Sequence, residues 1–344
     1  KLNDARYLSS TSSKIRKILF NSPPAIRTHQ AASLDGLRNF AAHFEASDQD
    51  NRLVINTVDS PLGPRYNGSI MVLGPIVRMA ESAGSTRQFD CDGSHFKSSL
   101  PGFLKCIIYI DANQSVFPVL IAHDISEESS ATWGNIINTF FQACPGAKTP
   151  HAGLASDRDG GLLSSIQPEQ AESTPPPAWV HCVLHIENNI LTYFRESTPM
   201  RLRLTYVKRF KSAAWASTVP IFQQKMAEIQ RSNLPLYLYL SKIPAETWAI
   251  SHFPSGRHLS NTTNSVESFW SAILEARKSN LLGQFYWLAY EWTMNHVVSC
   301  FHTASTWPKA ITPHAQRHFQ NKIEELRGNR LQISISSPPP ATSG

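Results

Sequence analysis

Two apolar runs separated by a tight turn constrain this 344-residue chain more than any other feature. Residues 103–111 (FLKCIIYID) and 116–125 (VFPVLIAHDI) are dense in β-branched and aromatic side chains. Such side chains pack well on a pleated surface, so both runs read as strands. Between them Asp111, Ala112, Asn113 and Gln114 supply turn chemistry. So short a connection joins only antiparallel strands. Pro118 has no N–H to give a ladder, which places it at an edge or near a strand start.

The flanking sequence supplies partners for that hairpin. Residues 87–91 read as a strand that ends or turns at Asp92-Gly93. After the hairpin, Trp133, Ile136, Ile137, Phe140 and Phe141 share one helical face. Ser129 or Ser130 can cap that helix, Glu127 and Glu128 lie near its positive end, and Pro145-Gly146 ends it. Residues 152–156 form a short strand, 160–166 begin a helix, and 178–184 (AWVHCVL) form another strand. Three strands followed by helix, strand, helix and strand call for an α/β fold, a mixed sheet covered by helices. Residues 1–85 are mixed, with a helix around 34–44 and a short strand at 52–58. From 186 to about 251 the pattern is helical, and Trp215, Val219, Phe222 and Met226 recur at core spacing. Two further helices cover 264–278 and about 281–302, and the Ser/Pro-rich tail from 333 reads as disordered.

Composition narrows the function classes. Apolar residues make up 41% and charged residues 17%, enough for a sizeable core and against wholesale disorder. The most apolar region, 103–125, is interrupted by Lys105, Asp111 and Asp124, so no spanning helix is expected. Five widely spread cysteines form no disulfide framework and point to a reducing compartment. The net charge of +6 is concentrated. Residues 1–30 carry six cations against Asp4. Residues 195–211 carry Arg195, Arg201, Arg203, Lys208, Arg209 and Lys211 against Glu196. The remainder is net acidic. Concentrated cations on an acidic body suit a phosphate backbone, and each segment also suits a solvated helix face.

The candidate chemistry lies in three acids. Asp92 stands in DGSHFKS and Asp157 in LASDRDGGLL, each at a strand end, where ligands gather in α/β sheets. Glu267, in NTTNSVESFWSAILEARK, falls in the first turns of a helix, off its apolar stripe. Packed on the sheet, that helix can lay Glu267 over both aspartates. Converging carboxylates repel unless cations neutralise them, and hard oxygen ligands suit Mg²⁺ or Mn²⁺. Two such ions about 4 Å apart clamp the attacking and leaving oxygens of a phosphodiester displacement. The competing reading makes Asp92 and Asp157 turn residues and Glu267 a solvated acid.

The run from DGSHFKS through HDISEESSATW, then SDRDGGLLSSI, HCVLHIENN and TTNSVESFWSAILEAR, resembles the core of the Mutator-like (MULE) transposases over about residues 89–302. That resemblance implies a DDE transposase with an RNase H-like mixed five-stranded sheet, flanking helices and an all-helical insertion before the last acid. The implied division is 1–85 N-terminal region, 86–186 first part of the core, 187–255 insertion, 256–305 last core helices, and 306–344 helix and tail. Asp92, Asp157 and Glu267 match the three acids; Asp90 and Asp159 are the nearest alternatives, in less matching surroundings. The implied activity is DNA cleavage and strand transfer with two Mg²⁺ or Mn²⁺ ions. Transposon ends and target DNA would be partners, with a homo-oligomer in the nucleus. Rival readings are a transposase-derived DNA-binding protein without catalysis, and an RNase H-like nuclease for RNA or hybrids.

The family's Cys-x-x-His is matched by Cys182 and His185. The pair reads as a buried thiol with a hydrogen-bonding histidine, as part of a zinc site completed by His181, Cys144 or His151, or, by resemblance, as a phosphate contact through His185. Lys97 and His95 beside the first acid, Arg158 beside the second and Arg277 beyond the third can reach DNA phosphate or serve as plain surface residues. Trp248, His252 and Arg257 precede the third acid and can form a DNA-facing loop, although a tryptophan such as Trp248 is more often core. The basic stretch 195–211 would track the backbone. The chain departs from the family at Trp270, where Asn is usual, and in the long Pro-rich stretch 167–177.

Overall fold

The computed structural model describes residues 31–61, 63–83, 87–125, 130–149, 152–157, 162, 165, 178–253, 262–309, 311–321 and 323–324. Strands β4 (Phe103–Ile110) and β5 (Val116–Asp124) form the expected antiparallel hairpin, closing with Ile110 opposite Val116. Asp111 Oδ1 accepts from the backbone N–H groups of Asn113 and Ser115, which fixes the turn. On its other side β5 pairs with β2 (Arg65–Val72) only as far as Leu120. Pro118 therefore lies past the reach of β2, where no donor is needed.

The sheet has seven strands in the order β1-β2-β5-β4-β3-β6-β7. Here β1 is Arg52–Val58, β3 Arg87–His95, β6 Ala152–Ser156 and β7 Ala178–His181. Neighbours from β1 to β3 are antiparallel, and β3, β6 and β7 run parallel. All six strands read from the sequence are present, and with β2 the sheet exceeds the five strands that the resemblance implies. The hairpin β1–β2 is added to the outer edge of β5, and β2 escapes the sequence reading because Asn67-Gly68 sits in the middle of its run.

Alternation assigns the two faces of β3. Phe89 points to one face and meets Phe140 of α3 (Ser130–Ala143), ring centroids 5.0 Å apart. Gln88, Asp90 and Asp92 point to the other. That face carries α8 (Asn264–Ala272) and α10 (Leu282–Thr306), the latter anchored by Tyr286 Oη, 2.9 Å from Ser69 Oγ. Helix α1 (Ala31–Ser47) lies along α10, with Phe40 stacked on Tyr286 and Phe44 against Tyr290. The short α2 (Gly74–Glu81) follows β2. One continuous apolar cluster joins the sheet to these helices.

Between β7 and α8 the described chain is helical and has its own core. Its helices are α4 (Val183–Tyr193), α5 (Met200–Ala214), α6 (Val219–Ser232) and α7 (Leu234–Leu240), followed by two short 3₁₀ turns. Pro220 and Pro235 sit in the first turns of α6 and α7, behind the caps Thr218 and Asn233. Trp248 is buried at the centre, its ring against Phe210 and Phe222 and its Nε1–H donated to Ile243 O. The expected stripe is only half core: Phe222 is buried, whereas Trp215 is 52% exposed because it sits past the end of α5. The last strand is also shorter than its apolar run. It stops at His181, and Cys182 caps α4 instead of continuing it. The helix expected over 264–278 breaks at Ile273 into α8 and the short α9 (Leu274–Arg277). Among the described residues no helix is long and apolar enough to cross a membrane.

Candidate functional site

The register of β3 and β6 brings the first two acids together. Cys91 pairs with Ser156 in the last step of the parallel ladder. One residue further along each strand stand Asp92 and Asp157. Asp157 is the first residue past the end of β6, and its charge reaches the Asp92 carboxylate. Asp92 does not end its strand, contrary to the sequence reading. β3 continues against β4 as far as His95 opposite Phe103, with Asp92 opposite Cys106. It is therefore held by regular backbone on one side and opens only where β6 stops.

Asp92 is partly buried, and its Oδ1 accepts the Gly93 N–H at 2.7 Å. Burial pushes its carboxyl up to about 7. The negative charge of Asp157 adds to that push, and Glu267 adds less; the Gly93 bond and the charge of His185 oppose it. Glu267 thus lies within electrostatic reach of Asp92, from an exposed position in the first turn of α8.

What seats α8 is a residue the sequence reading ranked as an alternative acid. Asp90 is completely buried and accepts from Gln88 Nε2 at 3.1 Å and from the Ser265 hydroxyl. Burial pushes its carboxyl up to about 7 despite both bonds. Val266, Phe269 and Trp270 bury the inward side of the helix. Asp90 is therefore the docking post for the helix that carries Glu267. The sequence carried one signal of this, since Asp90 lies between the two apolar residues of its strand, Phe89 and Cys91, and shares the parity of Asp92.

Cys182 and His185 meet the same site from β7. The Cys182 N–H donates to Ser156 O at 2.7 Å, and its sulfur accepts the Thr263 N–H at 3.3 Å. The pair thereby links β6, α4 and the start of α8. Hydrogen bonding to Cys182 lifts His185 to about 9 against the opposing effect of burial, with further help from Asp92 and Asp157. Burial pushes the Cys182 thiol up, but its bonds to His185 and Thr263 win and hold it below the usual thiol range. At neutral pH the site contains its own cation, an imidazolium beside the two aspartates.

In donor type the three acids suit a hard divalent cation, with oxygen ligands and surplus negative charge, but as placed Asp92, Asp157 and Glu267 do not stand close enough to hold one ion. Among the described residues, no three His, Cys, Asp or Glu side chains stand close enough to hold one metal ion. Cys144, considered for zinc beside Cys182, is engaged elsewhere. Its Sγ–H donates to Glu81 Oε1 at 3.0 Å and ties the end of α3 to α2. His181 is buried on β7 opposite Ser156. His151, Arg158, Asp159 and Arg257 lie outside the described residues, as does the basic segment 1–30.

Several offered phosphate contacts have other work. Arg277 is buried and donates to His95 O, Ser94 Oγ and Trp270 O, so it clamps α9 to the end of β3 instead of facing DNA. Trp270 itself is core, packed on Phe269 and under the Arg277 guanidinium. Trp248 is core as well, and His252 is packed on Phe222. His95 and Lys97 remain exposed beside the site. In the basic stretch, Arg203 donates to Leu191 O and Lys211 pairs with Glu187 at 2.9 Å, both holding α5 to α4. Arg201 and Lys208 are exposed, and Arg209 turns toward α6. No protein-family model matches the chain, and a search of curated proteins finds no match.

Proposed function

We propose that the chain is the catalytic core of a DNA transposase of the Mutator-like kind, with an RNase H-like sheet. The observation that carries this reading is the β3–β6 register, which sets Asp92 beside Asp157 under the field of Glu267. The order β5-β4-β3-β6-β7 supports it: three antiparallel strands, then two parallel to the first acid's strand, with the third acid on a helix after an all-helical segment. Asp92, Asp157 and Glu267 would hold Mg²⁺ or Mn²⁺, which supplies Lewis-acid activation of a phosphodiester. Asp92, poised near neutrality, exchanges its proton for a cation at little cost. His185, held protonated, offers an N–H to a phosphate oxygen beside the acids. Asp90 and Ser265 position α8. DNA ends and a target duplex would be the partners, with a homo-oligomer joining two ends in a nucleus.

The exposure of Glu267 favours one second reading, a DNA-binding relative that no longer cleaves. Mn²⁺ titration by calorimetry separates the two. The catalytic reading expects Mn²⁺ binding in the wild type, its loss in Asp92→Ala, and Mn²⁺-dependent nicking of supercoiled plasmid. Wild-type protein that takes up no Mn²⁺ and leaves plasmid intact, yet retards duplex DNA, would be the non-catalytic relative. Preferential cutting of an RNA–DNA hybrid would point to a nuclease.

A further inference from the structure

The helical insertion contains a cleft that the acids at the sheet do not use. Helices α5 and α6 border an open cleft of about 410 Å³. On the α6 side, Lys225, Glu228 and Ile229 recur at helical spacing, so they share one face, with Arg231 beside them. On the α5 side the wall is Arg209 and Ser212. Three cations thus surround one acid. That acid is already engaged: Glu228 Oε2 pairs with Lys225 Nζ at 3.0 Å, and Oε1 accepts from Gln224 at 3.0 Å. Among the described residues Arg209 and Arg231 form no ion pair, in contrast to Lys211, Arg78 and Arg87. Ile229 gives the floor an apolar surface against which a charge is less well screened.

Three cations against one acid leave this open cleft net positive, and an anion seated there would neutralise the excess. Guanidinium forks match phosphate oxygens, and Ser212 adds a hydroxyl donor. Glu228 is engaged by Lys225 and Gln224 and its charge also reaches Arg231, whose Nε–H donates to Ala227 O at 3.4 Å, so one carboxylate is already present and the remaining excess of charge centres on Arg209 and the outer side of Arg231. The geometry points to a seat for a backbone phosphate of bound nucleic acid, made by Arg209, Arg231, Ser212 and Lys225. This differs from the contact expected along 195–211. Two cations of that stretch are spent on α4, and the remaining focus is shared with α6, which the stretch does not include. The inference deepens the DNA-binding part of the proposed function and does not depend on cleavage.

The test is duplex binding by the full chain in EDTA, followed by fluorescence anisotropy across a salt series. Arg209→Gln/Arg231→Gln should weaken binding about tenfold and lower the slope of log affinity against log salt by about two, one for each lost phosphate contact. Glu228→Gln should do the opposite and tighten binding a few-fold, since it frees Lys225 and removes the competing charge. A purely structural role for Glu228 would not produce tighter binding. Circular dichroism on each variant checks that the helices persist. Inorganic phosphate is the second probe: millimolar phosphate should compete more strongly with the wild type than with the double variant. An unchanged salt slope in the double variant, or weaker binding in Glu228→Gln, overturns the seat. So does phosphate that binds the cleft while duplex affinity is indifferent to it, which would make the ligand a free anion. Cleavage is not read in any arm, so loss of the transposase reading leaves this outcome intact, and loss of the seat leaves Mn²⁺-dependent nicking untouched.

Discussion

The acid end of the sheet and the basic cleft of the insertion both gather like charges, and they do so at opposite costs. Asp90 is sealed under α8 and Asp92 is partly sealed beside Asp157; burial pushes both carboxyls up to about 7. Arg209 and Arg231 stand at a cleft open to water, where repulsion is small. An open basic surface can persist at little expense. A buried acidic cluster destabilises the fold at neutral pH, so its presence demands a compensating role more strongly than the cleft does.

The largest effect should come from breaking the independence of the two regions. Trp248 is 1% exposed at the centre of the insertion's own apolar cluster. Trp248→Ala should cost about 3–5 kcal/mol. If the two cores are separate cooperative units, a melting curve will show the insertion unfolding first, with the sheet transition in place. One joint transition at lower temperature would show that the clusters fold as a unit, and the contrast between regions would then be one of charge alone.

Asp92→Asn sharpens the acid side. A carboxyl raised from 3.8 to about 7 favours folding below its unfolded value and penalises it as pH climbs through the folded one. The variant should therefore match the wild type at pH 4 and exceed it at pH 8 by about 1–3 kcal/mol. Saturating Mn²⁺ should reverse that order, since ligand at a hundredfold excess over Kd adds about 2.7 kcal/mol to the wild type alone. Chemical denaturation at the two pH values, with and without Mn²⁺, reads both. A wild type as stable as the variant at pH 8 would mean that the site stores no penalty.

Ser265→Ala tests the latch between the two elements of the site. It leaves a buried acid one donor short and should cost about 1–3 kcal/mol. Because Asp90 then holds α8 less firmly, Mn²⁺ affinity should fall even where the protein remains folded. Unchanged affinity in a destabilised variant would confine the Ser265–Asp90 bond to stability.

Much of this was legible in the chain. The strand at 152–156 has the bounds the sequence reading gave it, and the hairpin 103–125 ends one residue from them on each strand. Apolar density and turn chemistry are local signals. Register is not local: nothing near Asp92 says that Ser156 faces Cys91, and the reading of Asp92 as a strand end failed because its partner β4 lies on the other side. Arg277 was misjudged for the same reason. Its acceptors at Ser94 and His95 are distant in sequence, so a guanidinium after an exposed-looking helix read as a surface residue or a phosphate contact. Cys182 looked like strand because its neighbours Val183 and Leu184 are apolar, yet the chain turns into a helix there to face Thr263.

His185 gives the smallest and most discriminating test of what balances the acids. Its folded value of about 9 exceeds the usual 6.5, so the stability it adds is complete below about pH 6.5 and fades as pH passes 9. The ring is partly exposed, so solvent screening limits the gain to about 1 kcal/mol. His185→Gln should lose that amount at pH 6, and the gap should close by pH 10. It should also push Asp92 higher, because the opposing charge is gone. Double-variant stabilities decide whether this coupling is direct. Read at pH 8, where the Asp92 carboxyl is ionised and His185 still protonated, the loss at His185 should shrink in the Asp92→Asn background, while a loss unchanged by the absence of Asp92 would assign the histidine's stabilisation to its bond with Cys182 and leave the two aspartates to be balanced by a cation from solution.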